Sequence, residues 1–296
     1  MLNVGIVGYG NVGKSVEKQI GRYENLKLIK VFSSRDVPNC ENIANILNYV
    51  GKIDLLFLCV GSKSDLEKIA CGLVENFNLI DCYDNHNRLS EYMENIGKLA
   101  TISKKVSFVG MGWDPGLFSL IRAMCNALGC EPYTFWGKGT SQGHTQALKT
   151  IEGVKDAIQF TVPNKKAIKQ IKKGLKFNGE LHWRLCYIVC DKEKREYIKN
   201  QIINMPDYFK GYKVKVKFVA QKRLNKLKTY SHKGEIIAGS EMYFSLKLAS
   251  NPDFTARVML GFATLTEKYI NEKKWGCFSI LNIPLIDVLK GGQKCL

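Results

Sequence analysis

Residues 4–13 read Val4-Gly5-Ile6-Val7-Gly8-Tyr9-Gly10-Asn11-Val12-Gly13, and this stretch decides the fold. Val4 to Val7 is a short apolar strand, Gly8 to Gly13 a turn, and Gly13 to Tyr23 a helix. A Gly-x-Gly-x-x-Gly motif is informative when it leaves a strand and opens a helix. Gly8 permits the tight turn, Gly10 lets the backbone approach a pyrophosphate, and Gly13 lets helix and strand pack closely. The helix N-terminus then faces the phosphates. Gly8, Tyr9, Gly10, Asn11, Val12 and Gly13 therefore form a candidate dinucleotide loop.

Working outward, strands are expected at Leu26–Phe32, Asp54–Val60, Asn78–Tyr83 and Val106–Val109, with a helix over Asp65–Glu75. This alternation predicts a parallel, doubly wound α/β sheet of the Rossmann type. The end of the second strand selects the cofactor. NAD binders usually place Asp or Glu there; this chain has Ser33-Ser34-Arg35. Two hydroxyls and a guanidinium suit a 2′-phosphate, because Arg bonds phosphate through two nitrogens. NADP is the expected cofactor, although Asp36 next door could bond a ribose.

The middle of the chain changes character. A helix is expected at Leu117–Leu128, strands at Pro132–Trp136, Asp156–Val162, His182–Cys190 and Lys213–Val219, and helices at Lys165–Lys173 and Glu193–Asn204. A long strand over Glu235–Leu248 and a long helix over Phe254–Asn271 follow. With 296 residues, two domains are expected. The first is 1–115, rejoined by a segment from about 278 to 296. The second, 116–277, is α+β and inserted between Rossmann elements.

Composition excludes several classes. Hydrophobic residues make up 45% and charged residues 24%, as in a folded globular protein. No apolar run reaches the roughly 18 residues of a membrane span, and Met1-Leu2-Asn3 enters a strand directly, so no signal peptide is expected. The net charge is +17, with 36 Lys against 8 Arg. Lysines read as spread along solvated faces, without the basic stripe of a nucleic-acid binder. The ten cysteines include no Cys-x-x-Cys pair, which fits a reducing cytoplasm with neither zinc site nor disulfides. No histidine pair has metal-ligand spacing, so no metal is expected.

Two acidic turns follow the fourth and fifth strands: Asp81-Cys82-Tyr83-Asp84-Asn85-His86 and Met111-Gly112-Trp113-Asp114-Pro115-Gly116. Ligands of such sheets sit at the carboxyl ends of the strands. Asp84 could instead cap a helix and Asp114 serve its turn, but two carboxylates at one sheet edge beside a nicotinamide could bind a substrate ammonium. Arg184, near the start of a later strand, is a candidate for two-point carboxylate binding; the alternative is a surface ion pair worth little.

The residues resemble those of the meso-diaminopimelate dehydrogenase family. The resemblance runs from the start to beyond residue 280, through Val7–Asn11, Phe57-Leu58-Cys59, Tyr83–His86, Gly112–Gly116, Thr134–Gly137, Ser141-Gln142-Gly143-His144, Met205–Phe209 and Asn251–Ala256. The glycine motif is generic, whereas the others in combination are specific. The resemblance implies NADP-dependent, reversible oxidative deamination of meso-2,6-diaminopimelate to L-2-amino-6-oxopimelate and ammonia, by a cytoplasmic homodimer serving lysine and diaminopimelate biosynthesis. The second domain becomes a substrate-binding and dimerisation domain. Cofactor contacts carry over to the glycine loop, to Ser33, Ser34 and Arg35, to Cys59, Val60, Gly61 and Ser62, and to the turns of Cys82, Tyr83, Asp84, Met111, Gly112, Trp113, Asp114 and Pro115. Substrate contacts carry over to Asp84, Asp114, Trp136, Gln142, Gly143, Thr161, Arg184, His232 and Asn251. On this reading Asp84 and Asp114 hold the D-centre ammonium, and Arg184, Thr161, His232 and Asn251 hold the far L end. The proton acceptor is left open between an aspartate, an ordered water and His144. Family members often carry two arginines after the second strand, and here Ser34 stands at the first of them.

Two other functions compete. A related Rossmann D-amino-acid dehydrogenase or reductase would not need the distal anchors Arg184, Thr161 and Asn251. A non-catalytic NADP sensor that binds nucleic acid would show strong salt dependence.

Overall fold

The structure, a computed structural model, describes residues 1–61, 65–137, 139–206, 208–228 and 231–288, without the side chain of Gln142. It divides into two compact units, Met1–Leu120 together with the chain from Pro252 onward, and Ile121–Asn251.

The first unit opens with β1 (Leu2–Val7), α1 (Asn11–Ile20), β2 (Leu26–Ser33), β3 (Glu41–Asn42), β4 (Leu55–Leu58), α2 (Leu66–Leu73), β5 (Asn78–Asp81), α3 (Leu89–Ile102) and β6 (Val106–Phe108), and the unit boundary falls within α4 (Leu117–Ala127). Every residue of β4 and β5 is buried. Continuous apolar runs such as Leu55-Leu56-Phe57-Leu58 are what a parallel strand needs when helices cover both faces.

The second unit continues with β7 (Tyr133–Gly137), α5 (Gln142–Lys149), β8 (Asp156–Pro163), α6 (Lys165–Ile171), β9 (His182–Val189), α7 (Arg195–Asn204), β10 (Val214–Phe218), α8 (Gln221–Asn225), β11 (His232–Ala238) and β12 (Met242–Leu248). One three-stranded sheet has the order β10-β9-β8, with β9 parallel to β10 and antiparallel to β8. The other, β12-β11-β7, is antiparallel throughout. Cys186 and Ile188 of β9 pack with Ile198 and Ile202 of α7.

The chain then returns through α9 (Asn251–Ala263), α10 (Thr266–Asn271) and β13 (Gly276–Phe278). The first-unit sheet has seven strands in the order β13-β6-β5-β4-β1-β2-β3, and every pair is parallel. Strand order reverses between β1 and β4. A doubly wound sheet opens its ligand crevice at such a point, beyond the carboxyl ends of the strands. The Rossmann α/β fold class thus stands, with an α+β second unit.

Four features differ from the sequence expectation. The return to the first unit begins at Pro252, not near residue 278, and the second unit starts at Ile121 rather than 116. The reason is α9: Ala256, Met259, Leu260 and Ala263 recur on one helical face and are buried in the same core as Val4, Ile6 and Phe57. The expected long strand Glu235–Leu248 is a hairpin, in which Gly239 takes φ +64° and Ala238 pairs with Met242. The expected long helix breaks between Ala263 and Thr266. Nor is positive charge evenly spread. Ile121–Asn251 holds 25 of the 44 basic residues but only 10 of the 27 acidic ones, so the cationic field belongs to the second unit.

Among the described residues no helix is long and apolar enough to cross a membrane. None of them forms a His, Cys, Asp and Glu group able to hold a metal ion.

Candidate active site

In the first unit the glycine loop joins β1 to α1. Gly8 has φ +94°, and its N–H donates to Phe32 O at 2.8 Å. A side chain on Gly8 would meet Val60 and the Cys59 carbonyl within 3 Å, and one on Gly13 would stand 2.1 Å from Gly8 O. The loop is therefore pressed between β1, β4 and α1, and Val60 and Cys59 adjoin it. Gly10 differs: a Cβ there meets nothing within 4 Å. Gly10 is also the N-cap of α1, and no side chain caps that end. Open space before uncapped helical N–H groups fits a pyrophosphate.

At the end of β2, Ser33 is buried and its Oγ accepts the Arg35 N–H at 3.0 Å. Ser33 thus shapes the turn, while Ser34 and Arg35 are exposed. Burial, with Asp81 nearby, pushes the Cys59 thiol up, and burial does the same to Cys82. Both stay protonated and pack as small apolar groups. Gly61 follows Val60 just outside β4; Ser62 lies outside the described residues.

The two acidic turns are tied together by a residue the sequence reading passed over. Asp81 is fully buried at the end of β5. Its Oδ1 accepts the N–H groups of Tyr83 (2.9 Å) and Gly110 (3.0 Å), and its Oδ2 the Tyr92 hydroxyl (2.7 Å). Burial pushes its carboxyl up to about 6, against the pull of those three donors. Tyr83 stacks on Tyr92 at 4.4 Å and donates its hydroxyl to Glu67, which pairs with Arg88. The signal available in sequence was an Asp closing the apolar run Leu79-Ile80.

The second turn is tightly folded. Gly112 N–H donates to Pro115 O at 3.2 Å, and a Cβ on Gly116, at φ +126°, would stand 1.9 Å from Gly112 O. The Asp114–Pro115 peptide is cis. Met111 N–H donates to Asp81 O (2.8 Å), and Trp113 lies edge-on to Phe118 (5.6 Å). The Asp114 carboxylate is 3.7 Å from His86 Nε2, and the Asp84 side chain is exposed.

In the second unit, β8 and β9 place Thr161 opposite Arg184. Arg184 is 8% exposed, and its Nη1 donates to Thr161 Oγ1 at 2.7 Å. The guanidinium lies over the Tyr212 ring at 4.3 Å, and its Nε has no partner. Among the described residues no carboxylate pairs with it. A buried cation without a counter-ion is costly, and its burial sets it apart from a surface ion pair. Gln159, fully buried two residues before Thr161, donates Nε2 to Thr161 Oγ1 at 3.3 Å.

Three histidines of this unit are held neutral, two of them within reach of the Arg184 charge. Burial, followed by the Arg184 charge, lowers His144 to about 3 and His182 to about 4; burial lowers His232 to about 4. His144 shares a hydrogen bond with Ser141 Oγ and packs against Tyr208 and Phe209. That environment makes it a poor proton acceptor at neutral pH. His182 Nε2 accepts the Trp136 N–H at 2.7 Å, and the Trp136 ring faces His232 edge-on at 6.3 Å. Gly143 lies in the first turn of α5, behind Gln142, and Asn251 begins α9.

Comparison with known proteins bears on this arrangement. Residues 112–248 match the family described as Diaminopimelic acid dehydrogenase C-terminal domain. Meso-diaminopimelate D-dehydrogenase of Corynebacterium glutamicum is 35% identical, with 95% of this chain and 93% of that protein covered. This chain belongs to the meso-diaminopimelate D-dehydrogenase family. The family's Lysinibacillus sphaericus member is also 35% identical, over 96% of this chain and 94% of its own. The solved C. glutamicum DAP dehydrogenase in complex with DAP matches with a TM-score of 0.92 at 33% identity, covering 98% of this chain and 96% of that one. An engineered D-amino acid dehydrogenase bound to NADP+ matches at 0.91 and 32% identity, covering 98% and 97%.

Proposed function

We propose that this protein catalyses the reversible oxidative deamination of meso-2,6-diaminopimelate at its D centre. Substrate, NADP+ and water give L-2-amino-6-oxopimelate, ammonium, NADPH and one proton. The observation that carries this reading is Arg184, buried without an anionic partner and braced by Thr161. A substrate with one amino-acid head needs no second carboxylate anchor; diaminopimelate, with a head at each end, does.

NADP, when bound, supplies the hydride acceptor. The glycine loop from Gly8 to Gly13 receives its pyrophosphate, and Ser34 and Arg35 its 2′-phosphate, with Ser33 shaping their turn. Cys59, Val60, Gly61 and Ser62 and the turns of Cys82, Tyr83, Asp84, Met111, Gly112, Trp113, Asp114 and Pro115 would make its remaining contacts. Asp84 and Asp114 hold the D-centre ammonium. Arg184, Thr161, His232 and Asn251 hold the L end by its carboxylate, and Trp136, Gln142 and Gly143 are further substrate contacts. Holding both ends fixes which Cα hydrogen can transfer, and orientation of this kind supplies much of the rate. The protein works as a cytoplasmic homodimer in diaminopimelate and lysine biosynthesis.

The test is incubation of purified protein with meso-diaminopimelate and NADP+. NADPH and ammonium appearing in equal amounts support the reading. A folded protein that binds NADP+ and turns over neither counts against it.

A further inference from the structure

Asp81 ends β5, one strand away from the segment after β6, and it bonds to both. One oxygen, Oδ1, accepts two backbone N–H groups: Tyr83, next to Asp84, and Gly110, four residues before Asp114. Its own carbonyl accepts a third, from Met111 at 2.8 Å. Gly110 takes φ +68°, so the chain bends sharply where it is held. The second oxygen is fixed by Tyr92 of α3 at 2.7 Å. Asp81 is fully buried and cannot touch a ligand in solvent. What it can do is set the spacing of two turns that carry the candidate ammonium-binding carboxylates.

We infer that Asp81 is a positioning residue: its carboxylate fixes the Asp84 turn against the Asp114 turn, and the reaction depends on that register. The inference rests on the function proposed above for Asp84 and Asp114. A ligand held by two carboxylates from different strands is sensitive to their separation, and a misplacement of about 1 Å can cost on the order of 100-fold in rate. The glycine loop and the Arg35 turn, proposed to take the pyrophosphate and the 2′-phosphate, lie on other strands, so Asp81 reaches NADP+ only through the two turns it clamps.

The experiment compares Asp81→Ala, Asp81→Asn and Tyr92→Phe with the unmodified enzyme. Alanine removes the shared acceptor, and kcat with meso-diaminopimelate is expected to fall about 100-fold, while Kd for NADP+ rises by much less than that, because the phosphate-binding loops are untouched. Asparagine keeps an oxygen for both N–H groups and is expected to recover kcat to within about tenfold. Tyr92→Phe loses a buried hydrogen bond but leaves the clamp, so it lowers the unfolding midpoint and keeps kcat within about threefold. A purely structural role would make the alanine and phenylalanine variants alike in kcat, and that result overturns the inference. So does an alanine variant with near-normal kcat. Should alanine not fold, the asparagine variant decides: loss of kcat with the Tyr83 and Gly110 amides still protected from hydrogen exchange contradicts the clamp. If the unmodified enzyme itself shows no turnover, the proposed function fails. Exchange then tests the clamp alone: faster exchange over 82–84 and 110–112 in Asp81→Ala upholds it, and unchanged exchange overturns it.

Discussion

Arg184 Nη1 donates to Thr161 Oγ1 at 2.7 Å across paired antiparallel strands, and no carboxylate among the described residues completes the bond network around that guanidinium. In the function proposed here the missing partner is the distal carboxylate of the substrate, so this cation would weaken the protein without ligand and strengthen it with ligand.

Arg184→Met should therefore separate stability from activity. Without ligand, removing a buried, uncompensated charge is expected to raise the melting temperature by about 2–4 °C. With meso-diaminopimelate, kcat/KM is expected to fall about 100-fold, since each hydrogen bond to a charged group contributes about 1.5–3 kcal/mol. Thermal denaturation and steady-state kinetics on one preparation check both signs.

Gly10 and Gly13 should respond differently to alanine. A Cβ at Gly13 collides with Gly8 O at 2.1 Å, whereas one at Gly10 meets nothing within 4 Å. Gly13→Ala is expected to lose both stability and NADP+ binding. Gly10→Ala is expected to melt like the unmodified protein and still bind NADP+ at least tenfold more weakly. Calorimetry and fluorescence titration distinguish the two.

Arg35 follows the turn shaped by Ser33 Oγ. Arg35→Ala is expected to raise KM for NADP+ about 10–100-fold, the range for losing charge-assisted bonds to phosphate. KM for NAD+ should barely move. Equal effects on both cofactors would place the 2′-phosphate elsewhere.

Acid should unfold the protein through its histidines. His144, His182 and His232 sit at about 3, 4 and 4 when folded, against about 6.5 in an unfolded chain. Between those values the unfolded state binds more protons, so stability is lost as pH falls from about 6.5 toward 4. Asp81, raised to about 6 when folded, takes up a proton in the native state and opposes one of the three. The urea midpoint is expected to fall steadily from pH 7 to pH 5, and a flat profile would contradict buried neutral histidines.

Much of the first unit was legible because its strands are short apolar runs bounded by glycine or acidic turns. The candidate loops followed from where those strands end. The helix α3 was missed although Tyr92, Ile96 and Ala100 recur at helical spacing. The Gly239-Ser240 turn was present as a dipeptide signal inside an otherwise strand-like run. Which core α9 joins was not legible at all, since its apolar face would suit either unit and only tertiary packing assigns it. Asp81 was hidden for a related reason. The two turns it ties bond to it through backbone N–H groups, one of them 29 positions away, and backbone donors carry no sequence signature.

The most direct test compares stereoisomers. The initial rate of NADPH formation would be followed with meso-, LL- and DD-diaminopimelate and with a D-amino acid bearing a single carboxylate. The account expects the meso isomer to exceed each of the others by at least about 100-fold in kcat/KM, because one D centre must react while an L centre is held. Equal turnover of the single-carboxylate D-amino acid, or faster turnover of the LL isomer, would contradict it.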